Sequence, residues 1–251
     1  MAYVTSKGHA LVNGEFFLPK EWTKDRWCLK SARVPKARWC HQTRHELCLA
    51  MLDRHRARLP HQWITGDDEM GRSSDFRRAL RERGEQYLLA VPSNTLIRDL
   101  ESADPTYCGN GRPPKPPHWR ADRWQRKQSK EKWIRIDVGD GEKGPTIVEA
   151  ISHCAASSKR GRENEADETL IVIRSEDRDS KVTKTDYYLS NASRETSLHE
   201  FCRVARAEHR IEECFERAKG QAGLADYEEN KGVRVRQQKP EERSECEFRT
   251  R

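Results

Sequence analysis

Apolar positions in this chain are arranged in short runs whose period changes along the sequence. Ala2–Thr5 and Ala10–Val12 alternate in the manner of strands around the turn-like Ser6-Lys7-Gly8-His9. Asn13-Gly14 then reads as a hairpin turn leading into a third strand, Glu15-Phe16-Phe17-Leu18, which Pro19 ends. Leu47, Met51 and Leu52 fall at helical spacing within 41–59. Thr43 and Glu46 predict a capping box at the start of that helix. His61–Thr65 is short, β-prone and followed at once by Gly66-Asp67-Asp68-Glu69. A helix is predicted over about 75–83, capped by Ser73 or Ser74 and stopped by Arg83-Gly84. Tyr87–Val91 reads as a buried strand closed by Pro92. This alternation of strand and helix predicts a mixed α/β sheet.

Beyond residue 100 the pattern changes. Asn110–Pro117 is rich in Gly and Pro and reads as an extended linker. Four β-like runs follow, at 133–138, 146–151, 169–174 and 185–190. Gly139-Asp140-Gly141 is the expected turn between the first two, and 155–168 an expected loose polar loop. We expect 1–110 to be one part of the α/β domain, 118–192 an antiparallel β insertion, and 193–228 a helical segment. The helix of that segment should span 196–219, capped by Thr196 or Ser197, with Leu198, Phe201, Ala205, Ile211, Phe215 and Ala218 on one stripe. Residues 229–251 are almost wholly polar and are expected to be disordered.

Composition sharpens the picture in two places. Only 34% of the 251 residues are hydrophobic while 35% are charged, so a modest core is expected. The net charge of +7 is matched by the local excess of residues 112–135, where nine Lys/Arg stand against two acids and Trp119, Trp124 and Trp133 are interleaved. That segment has two readings. Arg120, Arg123, Arg126, Lys127 and Lys130 could lie along a DNA backbone with the tryptophans as anchors. Alternatively, it is a solvated stretch whose tryptophans pack inward. The eight cysteines include no Cys-x-x-Cys pair. Cys40-His41 with Cys48 is a thin zinc signal, and reduced cytosolic thiols are the plainer reading. No apolar run approaches the ~20 residues of a membrane span, so a cytoplasmic protein without membrane association is expected.

The candidate chemistry lies in carboxylates. Asp67 and Asp68 follow a strand. In the run His209–Lys219, Glu212 and Lys219 stand seven residues apart on one helical face. The ordered segments Gly8–Val12, Leu18–Trp22, Gly66–Phe76, Tyr87–Asn94, Tyr187–Ala192 and His209–Tyr227 together resemble bacterial insertion-sequence transposases of the DDE superfamily, in the branch with a β-rich insertion. The resemblance implies a ribonuclease-H-like fold, here an incomplete mixed sheet with an antiparallel β insertion. It implies cleavage and strand transfer on DNA at transposon ends, with carboxylates holding Mg2+ or Mn2+ in a two-metal mechanism. By the family pattern Asp67 matches the second acidic corner, with Asp68 as the alternative. Glu212 matches the catalytic glutamate, and Lys219 the lysine that contacts phosphate. The Tyr and Arg of the family signature upstream of the glutamate are Ala205 and Glu208 here.

Relatives carry their first catalytic aspartate on a strand before the point where this chain starts, and no Asp precedes Asp25. A chain truncated at its N-terminus and divergent after Glu228 is therefore expected, without strand transfer of its own. A non-catalytic DNA-binding remnant is the alternative. A homodimer or a mixed complex with an intact transposase is the expected assembly.

Overall fold

A computed structural model describes residues 1–5, 7–103, 105–109, 111–112, 114, 117–141, 144–157, 167–176 and 183–207. Glu212, Lys219 and the tail 229–251 lie outside the described residues. The chain divides into two compact units, one holding the described residues up to Arg58 and the other beginning at Leu59.

In the first unit, β1 (Ala2–Thr5) and β2 (Gly8–Leu11) form an antiparallel hairpin, a two-stranded sheet of its own. The strand expected at Glu15–Leu18 is absent; that segment has no regular structure. Polar groups in and just before it find other partners. The carbonyl of Asn13 accepts the N-terminal ammonium at 2.6 Å, and its side chain meets His55 Nε2 at 3.0 Å. Glu15 receives the guanidinium groups of Arg54, at 2.8 Å, and of Arg38. Arg54 first, then Arg38, hold the Glu15 carboxyl below the usual carboxylate range against the opposing effect of burial. Two short helices follow, α1 (Lys20–Lys24) and α2 (Arg26–Ser31). Asp25 caps α2 by accepting from the amides of Trp27 and Cys28, so it is no strand-borne ligand.

Helix α3 (Arg44–His55) begins with the capping box its sequence predicts. Thr43 Oγ1 accepts from the amide of Glu46 at 3.2 Å, and Glu46 accepts from the amide of Thr43 at 2.7 Å. That backbone hydrogen bond leads the effects lowering the Glu46 pKa. Its stabilisation is thus present above the ordinary glutamate pKa and is lost as pH falls through the lowered value. Thr43→Ala is expected to cost about 1 kcal/mol of α3 stability, and thermal unfolding at pH 7 would measure it.

The second unit is built on one eight-stranded mixed sheet. Its strands are β3 (Ile64–Gly66), β4 (Tyr87–Ala90), β5 (Leu96–Asp99), β6 (His118–Arg120), β7 (Ile134–Gly141), β8 (Gly144–Ser157), β9 (Glu168–Glu176) and β10 (Thr183–Ser190). The order is β3-β4-β10-β9-β8-β5-β6, with β7 pairing the first half of β8. Only β3 and β4 are parallel. The five strands of 118–192 thus share one sheet with β3, β4 and β5, because β10 pairs β4 through Tyr188 and Ala90.

Two details differ from the sequence reading. Gly139 is not in a hairpin turn but at a register shift inside β7, between Asp137 and Asp140, with φ of 88°. A left-handed backbone there suits glycine. The two ends of the segment expected as a polar loop are not loop: 155–157 belong to β8 and Glu168 opens β9. Ala155, Ala156 and Ser157 are buried and pair β5.

Alternation along the strands buries both faces of the sheet. Leu88, Ile171, Ile173, Tyr188, Val148 and Ala150 face one side, where helix α7 (198–207) supplies Phe201, Cys202, Val204 and Ala205. Ser197 caps α7, its hydroxyl accepting from the amide of Glu200 at 3.2 Å. Leu170, Val172, Tyr187 and Leu189 face the other side. There helix α6 (Ala121–Arg126) inserts Ala121 and Trp124. Helices α4 (Asp68–Arg72) and α5 (Ser74–Glu82) fill the connection between β3 and β4. Ser73 caps α5 and Gly84, at φ 71°, follows its end, both as the sequence predicts. No helix among the described residues is long and apolar enough to cross a membrane.

Candidate active site

Asp67 lies directly after β3, where the parallel β3–β4 pair ends. It is the N-cap of α4, with Oδ1 accepting from the amide of Met70 at 3.1 Å. Its carboxylate is exposed, as are Asp68 and Glu69. Asp68 is tied one turn onward to Arg72 at 3.1 Å. Of the two aspartates left open by the sequence, Asp67 is therefore the one fixed by the strand end. Asp68 belongs to an exposed ion pair along α4.

Two features fix the Asp67 turn in place. Gly71 packs against β4 so closely that an added Cβ would overlap the carbonyl oxygen of Ala90 and stand 2.8 Å from its carbonyl carbon. Arg77 of α5 donates to the carbonyl of Gly71 and is itself buried. Its Nε meets Glu168 Oε1 at 2.8 Å, and its other terminal nitrogen donates to Ser157 Oγ at 2.5 Å. Glu168 also accepts from Tyr87 at 2.5 Å, from Arg81 at 3.1 Å and from Ser157 at 2.6 Å. Burial first, then the charge of Glu168, push the Tyr87 phenol far above its ordinary pKa, so it stays a neutral donor. This network links α4, α5, β4, β8 and β9. Sequence reading missed it, because Ser157 lies 80 positions from Arg77, and Glu168 lies 91 from Arg77 and 81 from Tyr87.

Helix α7 is anchored on the same strand that carries Asp67. The indole of Trp63, just before β3, donates to Glu200 Oε1 at 3.0 Å and meets Phe201 edge-on at 5.8 Å. Arg203 grips Glu200 through two hydrogen bonds of 2.6 and 2.7 Å and, ahead of the opposing effect of burial, holds its carboxyl below the usual range. At the last described turn Arg206 donates to the carbonyl of Val138 on β7. The described part of α7 thus crosses the sheet from Trp63 towards β7. The described residues do not bring Asp67 and Glu212 together, since Glu212 lies beyond them.

The chain's first 145 residues match the family model for DDE superfamily endonucleases. The protein belongs to the DDE superfamily of endonucleases. No curated protein matches it closely enough to count as a relative. The match covers β1 to the beginning of β8 and so includes Asp67 and the basic segment. The mixed eight-stranded sheet with helices is consistent with the ribonuclease-H-like fold of this superfamily.

DDE endonucleases generally use divalent metals. Asp67 offers hard oxygen of the kind Mg2+ prefers, but no three His, Cys, Asp or Glu among the described residues form a group that could hold a metal. The described residues alone therefore do not make such a site. The same holds for zinc at Cys40, His41 and Cys48. Cys40 is an exposed free thiol, and His41 Nδ1 faces the carbonyl of Leu18 at 3.1 Å.

Within the basic segment, residues 121–126 form α6, with Lys127 at its C-terminal end. Ala121, Trp124 and Gln125 point into the core, while Arg123, Arg126 and Lys127 lie towards solvent. Trp119 and Trp133 are partly buried beside that core. Lys127 Nζ sits 3.5 Å from the Trp119 ring centroid, and the guanidinium of Arg174 is 3.6 Å from that of Trp133. The tryptophans therefore pack inward. Arg120 is bound by Asp122 through hydrogen bonds of 3.1 and 2.8 Å.

Proposed function

We propose that this chain is a DNA-binding member of the insertion-sequence transposase branch of the DDE superfamily, and that it meets the duplex backbone through the outer face of α6. One observation carries the reading. Three cations at positions i, i+3 and i+4 share the outer side of a helix whose other side is locked into the core by Trp124. The core-locked helix presents the three side chains on one side with no backbone ordering needed on binding. Lys127 is further oriented by the Trp119 ring. Arg120 contributes less than Arg123, because Asp122 neutralises it.

In this reading Asp67 and Glu212 are the two acidic corners the chain carries, and Lys219 meets a phosphate. A bound Mg2+ or Mn2+ would supply Lewis acidity for phosphodiester chemistry. Three acids upstream are engaged otherwise: Asp25 caps α2, Glu46 caps α3, and Glu15 is paired with two arginines. Binding to transposon-end DNA without strand transfer is the activity we assign to the chain alone. It could act in a homodimer or in a mixed complex with an intact transposase.

The test is duplex affinity as a function of salt. The triple variant R123A/R126A/K127A should bind more weakly. It should also flatten the slope of log affinity against log salt by roughly one unit for each phosphate that no longer meets a cation. An unchanged slope would remove α6 from the DNA surface. Mg2+-dependent cleavage of end DNA by the wild-type chain, abolished by Glu212→Ala, would overturn the non-catalytic part.

A further inference from the structure

Helix α2 turns its tryptophan away from the core. Leu29 is its one buried residue, at 2% exposure. Trp27, two positions earlier and so nearly opposite around the helix, is 64% exposed. Lys30 stands three positions after Trp27 and four after Arg26, so both cations lie on the solvent side with the indole. Five of the chain's seven tryptophans are engaged otherwise. Trp39 donates to the carbonyl of Val34 at 2.9 Å, Trp63 and Trp124 donate to carboxylates, and Trp119 and Trp133 hold cations against their rings. Only Trp27 and Trp22 of α1 are exposed.

The same stretch is strongly cationic. Residues 20–36 hold six Lys/Arg against two acids, Glu21 and Asp25. Asp25 is occupied with the amides that begin α2. All six cations are exposed, and none enters an ion pair among the described residues. The end of α2 is unusual as well. The amides of Arg33 and Val34 bond back to the carbonyls of Lys30 and Leu29, at 3.0 and 2.9 Å, which is a Schellman motif. Arg33 takes the left-handed position of that motif with φ of 54°. Glycine is the ordinary occupant there, because a Cβ makes the conformation costly. This chain holds an exposed cation there instead.

We propose that α2 and the turn after it form a binding site for single-stranded DNA, with an unpaired base stacked on the Trp27 indole and the flanking phosphates met by Arg26, Lys30 and Arg33. Charge complementarity calls for a polyanion, and the exposed indole calls for a flat face between the charges. A duplex keeps its base faces stacked inside and offers the indole nothing. An acidic peptide would satisfy the cations and leave the indole in water. A membrane surface would need an apolar face, and α2 turns outward one indole among cations. The choice of DNA among polyanions rests on the DNA-binding reading above, but the site makes no use of α6.

The test is the affinity of the full chain for labelled oligothymidine of roughly ten nucleotides, within the usual span of such sites, measured beside its affinity for a duplex. Trp27→Ala should weaken single-strand binding by about tenfold or more, the usual worth of one base–aromatic stack. Trp27→Phe should restore most of it. The double variant R26A/K30A should flatten the dependence of log affinity on log salt by roughly 0.7 for each phosphate left without a cation. Arg33→Gly separates binding from folding: it should leave the chain at least as stable and still weaken single-strand binding. Unchanged single-strand affinity in Trp27→Ala or in R26A/K30A would overturn the site, as would a wild-type chain that binds no oligothymidine. If R123A/R126A/K127A loses duplex binding while Trp27→Ala keeps single-strand binding, the DNA-binding reading stands and this site is wrong. If the wild type binds oligothymidine through Trp27 and binds no duplex, this site stands and the α6 surface is wrong.

Discussion

Glu168→Gln is expected to destabilise the unit that begins at Leu59 by about 3–5 kcal/mol, the usual cost of breaking a buried ion pair from one side. Glu168 and Arg77 are 2% and 3% exposed, so solvent screens neither. One carboxylate accepts from Arg77, Arg81, Tyr87 and Ser157. Neutralising it leaves the Arg77 guanidinium buried without a counter-charge. The same network would be poor evidence of net stabilisation, because desolvating both charges offsets much of their attraction. The contrast can be measured. Urea unfolding of Glu168→Gln should show the large loss, whereas the double variant R77M/E168L should recover a substantial part of it. A loss below about 1 kcal/mol for Glu168→Gln, the range of exposed pairs, would mean that the pair is hydrated in solution. The Tyr87 phenol is pushed far above its ordinary range, so alkaline pH should not change the result.

Gly71→Ala should also be destabilising, and here two physical arguments predict opposite signs. By helix propensity alone, alanine inside α4 would stabilise by up to about 1 kcal/mol. Packing says the reverse. The new methyl would meet the backbone of Ala90 on β4, not the end of a flexible side chain. Helix α4 would have to lift from the sheet, and overpacking of this kind costs about 1–3 kcal/mol. Because Asp67 caps α4, the lift would also displace the proposed metal-binding carboxylate. Calorimetric unfolding gives the sign directly. A stabilised Gly71→Ala would show that α4 is not docked as closely as this packing requires.

Local signals in the sequence proved to be the dependable ones. Thr43, Ser73 and Ser197 cap the helices they introduce. The β-prone runs of β4, β9 and β10 became strands. What failed depended on partners distant in sequence. Glu15–Leu18 has a strand-like composition, but Arg38 and Arg54 hold its glutamate and no strand among the described residues pairs it. Ser157 and Glu168 look like loop residues until Arg77 arrives from 80 and 91 positions away. Residues 121–126 read as part of a charged segment, because Ala121 and Trp124 were too sparse to announce a buried helical face. For the candidate site, the position of Asp67 at a strand end was legible from Gly66 and the acids that follow. Its role as a cap is a local contact with the amide of Met70, whereas the close approach of Gly71 behind it depends on the backbone of β4.

The position of β4 in the sheet has a consequence for how the chain acquires its structure. β4 takes β3 as one neighbour, about twenty residues earlier, and β10 as the other, about a hundred residues later. On a ribosome, the fully buried Leu88 and Leu89 would emerge long before the strand that covers their flank has been made. A nascent chain ending anywhere before Thr183 therefore exposes an open backbone edge beside Leu88 and Leu89. Such long-range closure slows folding and favours misassembly. Synthesis of this protein should consequently be sensitive to chaperone supply, and to translational pausing between residues 90 and 183.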